Sequence, residues 1–187
     1  MNYIISQISG YIALIFVGIS YFCRKKSKFM LFQIIADMFY AGSYLFVDLY
    51  VAGFITIVST IRCIVFYFCE KKEYKHTLSI LPIFIVGYII VAIIFWTELS
   101  DIIPLITATF YTFAYVLKNV QIIRYISLIP NTMLIIYNII FRTYSNAILD
   151  ILETFVVIAS IITFHKIRKN ELKQLENTNL QGGIDGK

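Results

Sequence analysis

The sequence predicts an all-α integral membrane protein of seven transmembrane helices, arranged as two parallel three-helix repeats joined by a connector helix. Three observations predict it. Of 187 residues, 59% are hydrophobic and 14% charged, and the mean hydropathy of +0.80 is far from the balance of a water-soluble domain. Apolar runs near twenty residues, the length that rises through about 30 Å of hydrocarbon at 1.5 Å per residue, occur seven times. The chain also matches itself at a shift of 94 residues.

The first span, 3 to 23, lies in "MNYIISQISGYIALIFVGISYF", which has no Lys or Arg before Arg24 and is expected to be retained as a helix. Arg24, Lys25, Lys26 and Lys28 follow it, then the second span, 29 to 47, and the third, 51 to 69, with Lys71, Lys72 and Lys75 behind it. The fourth, 77 to 96, starts near Pro82, read as a helix-start residue, and ends at Trp96, an anchor for the outer interface. The fifth covers 102 to 118 and the sixth 122 to 141, interrupted by Pro130 and Asn131. The seventh covers 146 to 165, followed by Lys166, Arg168 and Lys169. The tail "KNELKQLENTNLQGGIDGK" extends it for a few turns until its glycines end the helix. Residues 1–72 thus form the first three-helix unit, 73–100 the connector, 101–169 the second unit and 170–187 a polar tail.

The cations alternate with the crossings. Lys118 and Arg124 flank the turn between spans five and six, on the side of the other clusters, while the opposite loops offer only Arg142. The positive-inside rule puts the N-terminus outside and the C-terminus in the cytoplasm, as an odd number of crossings requires. The net charge of +5 is spread over these clusters with no basic domain, so nucleic acid is not indicated. Cys23, Cys63 and Cys69 form no CxxC pair and indicate neither a disulfide framework nor a zinc site. His76 and His165 fall at cytoplasmic helix ends beside lysines. With no Gly-rich phosphate loop, nucleophile elbow or zinc signature, neither an enzyme nor a cofactor or metal is expected.

At the shift of 94, polar positions inside the spans pair off: Gln33 with Ser127, Asp37 with Asn131, Tyr44 with Asn138, Thr56 with Asp150, Ser59 with Glu153 and Thr60 with Thr154. Each such residue costs free energy in lipid, so their recurrence says more than the shared isoleucines do. Helical spacing gathers them into stripes: Gln33, Asp37, Tyr40 and Tyr44 on span two, and Thr56, Ser59, Thr60 and Cys63 on span three. Ser127, Asn131 and Asn138 on span six and Asn146, Asp150, Glu153 and Thr154 on span seven do the same. For the hydroxyls alone, gluing helices together is the simpler role.

The ionisable residues ask for more. Arg62 stands roughly 13 Å from the cytoplasmic end of its helix, with its side chain leaning away from the nearest water. Asp37 stands roughly 12 Å from the same face on the neighbouring span, which predicts an Asp37 to Arg62 ion pair. Asp150 and Glu153 have no cation in their own unit, because Val156 occupies the position matching Arg62. Asp150 is close enough to the outer surface to be wetted. Glu153 lies deeper and must face water, find a cation or hold its proton. Tyr137 and Asn138 are candidate neighbours, and Pro104 and Pro130 open helix backbone near these stripes.

The segments "YVAGFITIVSTIR" (50 to 62), "LPIFIVG" (81 to 87), "IIPLITATFYTFAY" (102 to 115) and "IIYNIIFRTYSNAILDILE" (135 to 153) give residues 5 to 168 a resemblance to the YgjV-type bacterial inner-membrane proteins. That resemblance implies a multi-pass protein of the bacterial cytoplasmic membrane. The three-plus-one-plus-three layout also resembles the SWEET and PQ-loop transporters, which implies alternating-access passage of a small solute between the two units. Tyr21 and Tyr115 stand where those proteins carry a Pro-Gln dipeptide, and sugar is not the favoured solute.

The function expected is a small-solute transporter, with proton or cation coupling as an option and a pathway along spans two, three, six and seven. Its partners are the bilayer and a solute of unknown class, with a homo-oligomer left open. The competing class is a non-transporting membrane protein, an immunity, assembly or regulatory factor that binds a partner through its helices.

Overall fold

The computed structural model describes residues 2–72, 77–141 and 144–184, so Lys75, His76, Arg142 and the last three residues of the tail lie outside the described residues. It contains seven α-helices: α1 (Asn2–Phe22), α2 (Lys26–Leu45), α3 (Tyr50–Lys71), α4 (Thr77–Phe95), α5 (Ile102–Val116), α6 (Val120–Ile140) and α7 (Tyr144–Ile184). A single 3₁₀ turn, Leu99–Asp101, precedes α5. Helices are what such apolar runs must form, because lipid offers no partner to an unpaired backbone amide. Among the described residues six helices are long and apolar enough to cross a membrane; α2, with Lys26, Lys28, Gln33 and Asp37, falls short in hydropathy.

Short polar turns join the helices. Asp48 takes a positive φ of 62° between α2 and α3, a conformation Asp tolerates, and accepts a hydrogen bond from the Tyr50 hydroxyl. Before α5, the Asp101 carboxylate accepts from the Thr97 and Glu98 amides and the Thr97 hydroxyl in a capping box. Asn119 caps α6 by accepting from the Gln121 amide.

Six helices close into a ring in the order α1, α2, α3, α5, α6, α7, each packed on the next and α7 on α1, while α4 lies outside against α3 and α5. Large apolar side chains cover the exterior, as at Ile83, Ile93 and Phe155, and polar side chains are turned inward. This inversion is what a lipid solvent demands of a bundle. Pro82 sits inside α4, not at its start, and Pro104 occupies the first turn of α5, where its missing N–H breaks no helical bond. Of the three prolines, Pro82 and Pro130 therefore lie inside helices. Helix α7 continues through the polar tail and past Gly182 and Gly183, farther than its composition predicts.

Candidate functional site

A buried cavity of about 80 Å³ lies inside the ring. It is built from the polar stripes of two neighbouring helices. Helix α2 presents Gln33, Asp37, Tyr40 and Tyr44, and α3 presents Thr56, Ser59 and Arg62, at the spacings that put each set on one helix face. Across from them stand Thr107, Tyr111 and Tyr115 of α5 and the acids Asp150 and Glu153 of α7. Helix α6 contributes only Leu134 to the lining. The cavity is thus lined mainly by α2, α3, α5 and α7, with α5 in the place expected of span six. Asn131, Asn138, Thr60 and Thr154 do not line the cavity; Thr60 and Thr154 turn back to carbonyls of their own helices.

The two seams between the triplets differ at one matched position. Where α1 meets α7, Gly10 lets Leu149 approach so closely that an added Cβ would stand 2.3 Å from its Cδ1. Where α3 meets α5, the corresponding position is Pro104, which lines the cavity together with Ile55 of α3, and α4 packs against both helices.

Arg62, 2% exposed, bridges that seam. Its Nη1 donates to the Thr112 hydroxyl at 2.9 Å, the Tyr88 hydroxyl at 3.2 Å and the Ala108 carbonyl at 3.3 Å, and the guanidinium stacks over the Tyr115 ring at 4.8 Å. The predicted ion pair with Asp37 is not formed. The guanidinium is drawn toward acceptors on α4 and α5, and Cys63 stands between the charges, its thiol 3.3 Å from Nη2 and 3.5 Å from the Asp37 carboxylate. The ion pairs among the described residues are instead Arg24 with Glu171 and Lys26 with Glu70.

On the other wall, Glu153 accepts from the Tyr40 hydroxyl at 3.1 Å and is 6% exposed. Asp150 is 4% exposed, not wetted as its depth suggested, because the Asn138 side-chain amide reaches from α6 to donate to it at 2.6 Å. Tyr137, expected beside Glu153, points instead toward Asp101 at 3.5 Å. Asn131 accepts from the Tyr111 hydroxyl, and its side chain lies beside Glu153. Among the described residues no three His, Cys, Asp or Glu side chains gather as a metal site.

Two further features were hidden in the sequence. Tyr88 of the connector helix touches Ser59, Arg62 and Thr112 at once, although α4 shows nothing but apolar character around it. Arg124, read as a topology cation, is 1% exposed: its Nε and Nη2 donate at 3.0 Å to the Tyr21 and Cys23 carbonyls, closing the end of α1, and its guanidinium lies 4.0 Å from the Phe164 ring centre.

Tyr21, Phe29 and Tyr115 pack edge to face in a buried layer, with Tyr115 on the cavity and Arg124 bound to the Tyr21 carbonyl behind it. Beyond this layer, at the end where the Lys and Arg residues gather, a second cavity of about 600 Å³ opens.

A family model described as bacterial inner membrane protein, Imp-YgjV, matches residues 4–169. No curated protein and no solved structure matches the chain.

Proposed function

The chain belongs to the Imp-YgjV family of bacterial inner membrane proteins, and from the geometry of its interior we propose that it is a small-solute transporter. The observation that carries this reading is the central cavity, where Asp37, Asp150 and Glu153 and a single cation, Arg62, are gathered inside an apolar bundle. Ionisable groups are expensive at membrane depth and gather where ions, protons or polar solutes pass. Three carboxylates against one guanidinium favour a proton or another cation as part of what moves.

A parallel repeat supports an alternating-access mechanism. Adding 94 to Phe22, Lys26 and Tyr50, which bound the first three helices, gives Val116, Val120 and Tyr144, which bound the last three. The same relation exchanges the α1 to α7 contact with the α3 to α5 contact. About 80 Å³ holds a few water molecules, so a solute passes only if the α3 to α5 seam and the aromatic layer move. By the positive-inside rule the basic end faces the cytoplasm, and α2, whose 20 residues rise about 30 Å, serves as the seventh crossing with its polar face on the cavity.

The test is flux into proteoliposomes from a metabolite mixture, with and without a pH gradient, for the native chain and Glu153→Gln. Native protein should move at least one solute, and the variant, still folded, should change the pH dependence of that flux. No flux for any solute, with Glu153→Gln affecting neither flux nor stability, would leave the partner-binding alternative standing.

A further inference from the structure

The central cavity carries two opposed charges that the fold leaves half satisfied. On Arg62, Nη1 takes the Thr112, Tyr88 and Ala108 oxygens, Nη2 has the Cys63 sulfur at 3.3 Å, and Nε is buried with no partner among the described residues. Sulfur is a weak acceptor. The Nε–Nη2 edge is thus the unfilled side of a guanidinium otherwise fixed in place, and its paired N–H donors match the two oxygens of a carboxylate. Buried donors without a partner are rare in folded chains, and each calls for a physical reason.

Asp37 is the complementary case. Among the described residues its carboxylate accepts only from the Cys63 thiol, at 3.5 Å. The other acids of the cavity are better held, Glu153 by the Tyr40 hydroxyl and Asp150 by the Asn138 amide. Asp37 also keeps part of its surface open, whereas Arg62, Asp150 and Glu153 are buried. One thiol therefore touches both charges and holds them apart, near enough for one small molecule to meet both.

The charge balance decides what that molecule is. A free anion on Arg62 would add negative charge beside Asp37, Asp150 and Glu153, and a free cation on Asp37 would leave the arginine edge unpaired. Water satisfies either group singly and neutralises neither. A zwitterion answers both: its carboxylate takes the edge, its ammonium takes Asp37, and the site gains no net charge. An α-amino acid carries the two groups on one carbon, and glycine or alanine displaces no more than the few waters that about 80 Å³ admits.

We propose that the central cavity binds a small α-amino acid, its carboxylate on the Nε–Nη2 edge of Arg62 and its ammonium on Asp37. This is the substrate class of the transporter proposed for the same cavity, and it rests on that reading for passage, though not for binding. Tyr115, whose ring lies 4.8 Å from the guanidinium, and Cys63 keep the edge in position.

The full chain in phosphatidylcholine nanodiscs provides the test. Glycine or L-alanine at millimolar concentration should raise the unfolding midpoint by several degrees. Sodium propionate, which lacks the ammonium, and ethylamine hydrochloride, which lacks the carboxylate, should not. Asp37→Asn removes the ammonium partner and spares the arginine, so it should reverse the preference from alanine to propionate, a change that lost stability alone does not produce. If that variant does not fold, Thr56→Leu serves in its place: the Thr56 hydroxyl bonds the Ala52 carbonyl of its own helix, and the larger side chain fills the cavity without touching either charge. It should raise the half-saturating alanine concentration about tenfold or more. The proposal fails if neither amino acid stabilises the native chain beyond its two analogues, if Asp37→Asn keeps the native preference, or if Thr56→Leu binds alanine as the native chain does. Flux of another solute with no amino-acid response would overturn this site and keep transport, and an amino-acid response with no flux of any solute would do the reverse.

Discussion

Thr112 gives Arg62 its shortest hydrogen bond, at 2.9 Å, and is itself fully buried between α4 and α3. A hydrogen bond to a buried charge contributes about 1.5–3 kcal/mol, so Thr112→Val should lower stability by that amount. Thr109, three residues back on the same helix, donates only to the Leu105 carbonyl of its own turn and faces the outer groove between α4 and α5. Thr109→Val should therefore stay within about 0.5 kcal/mol of the native chain. Equilibrium unfolding in micelles compares the two, and equal losses would mean that Thr112 does not hold the guanidinium. Arg62 could be singled out from the sequence because a lone cation in an apolar run demands a partner. Its true partners could not be, since Tyr88 and Thr112 are residue types that helix packing uses everywhere. Matching depths suggested Asp37, but depth fixes only one coordinate, and the rotation of α3 aims the guanidinium at α4 and α5. Arg124 was misread for the opposite reason: its cationic neighbours at the helix ends gave it a sufficient explanation before its burial was known.

Between elements, Gly10 and Gly18 both face α7 across the α1 to α7 seam and report how its closeness varies along α1. A Cβ at Gly10 would collide with Leu149, whereas one at Gly18, farther along the same helix, would meet nothing closer than Val156 at 3.9 Å. Alanine is a better helix former than glycine by about 1 kcal/mol, so Gly18→Ala should be neutral or stabilising. Gly10→Ala should instead lose about 1–3 kcal/mol through overpacking, less that helix gain. In the double variant with Leu149→Ala the losses should fall short of additive, because the second change makes room for the first. Strict additivity would show that the two helices do not meet at Gly10. On α3 only Thr56 and Ser59 of the expected stripe line the cavity, whereas the order of the helices and the stripe on α2 were legible in the sequence, since charge clusters and polar spacing mark them directly. The role of α5 was not, because its lining is made of Thr, Ala and Tyr, which read as ordinary packing.

For the whole molecule, the crossing number turns on α2, whose polar face is the reason its hydropathy is low. A 20-residue helix of the ring, packed along α1 and α3, has the length to cross, and its inward face meets the cavity, not lipid. Lys28 and Phe46 bracket it, and both side chains are exposed. With Cys23 and Cys69 replaced by serine and Cys63 left buried, single cysteines at these two positions should react differently with a membrane-impermeant maleimide. Phe46→Cys should label in intact cells, together with Leu99→Cys at the same end of the bundle. Lys28→Cys should label only after permeabilisation, together with Lys118→Cys. If Lys28→Cys and Phe46→Cys label alike, α2 does not cross, the termini share one side, and the repeat cannot be parallel. If all four positions swap sides, seven crossings survive but the basic end faces outward, and the positive-inside assignment is wrong for this chain.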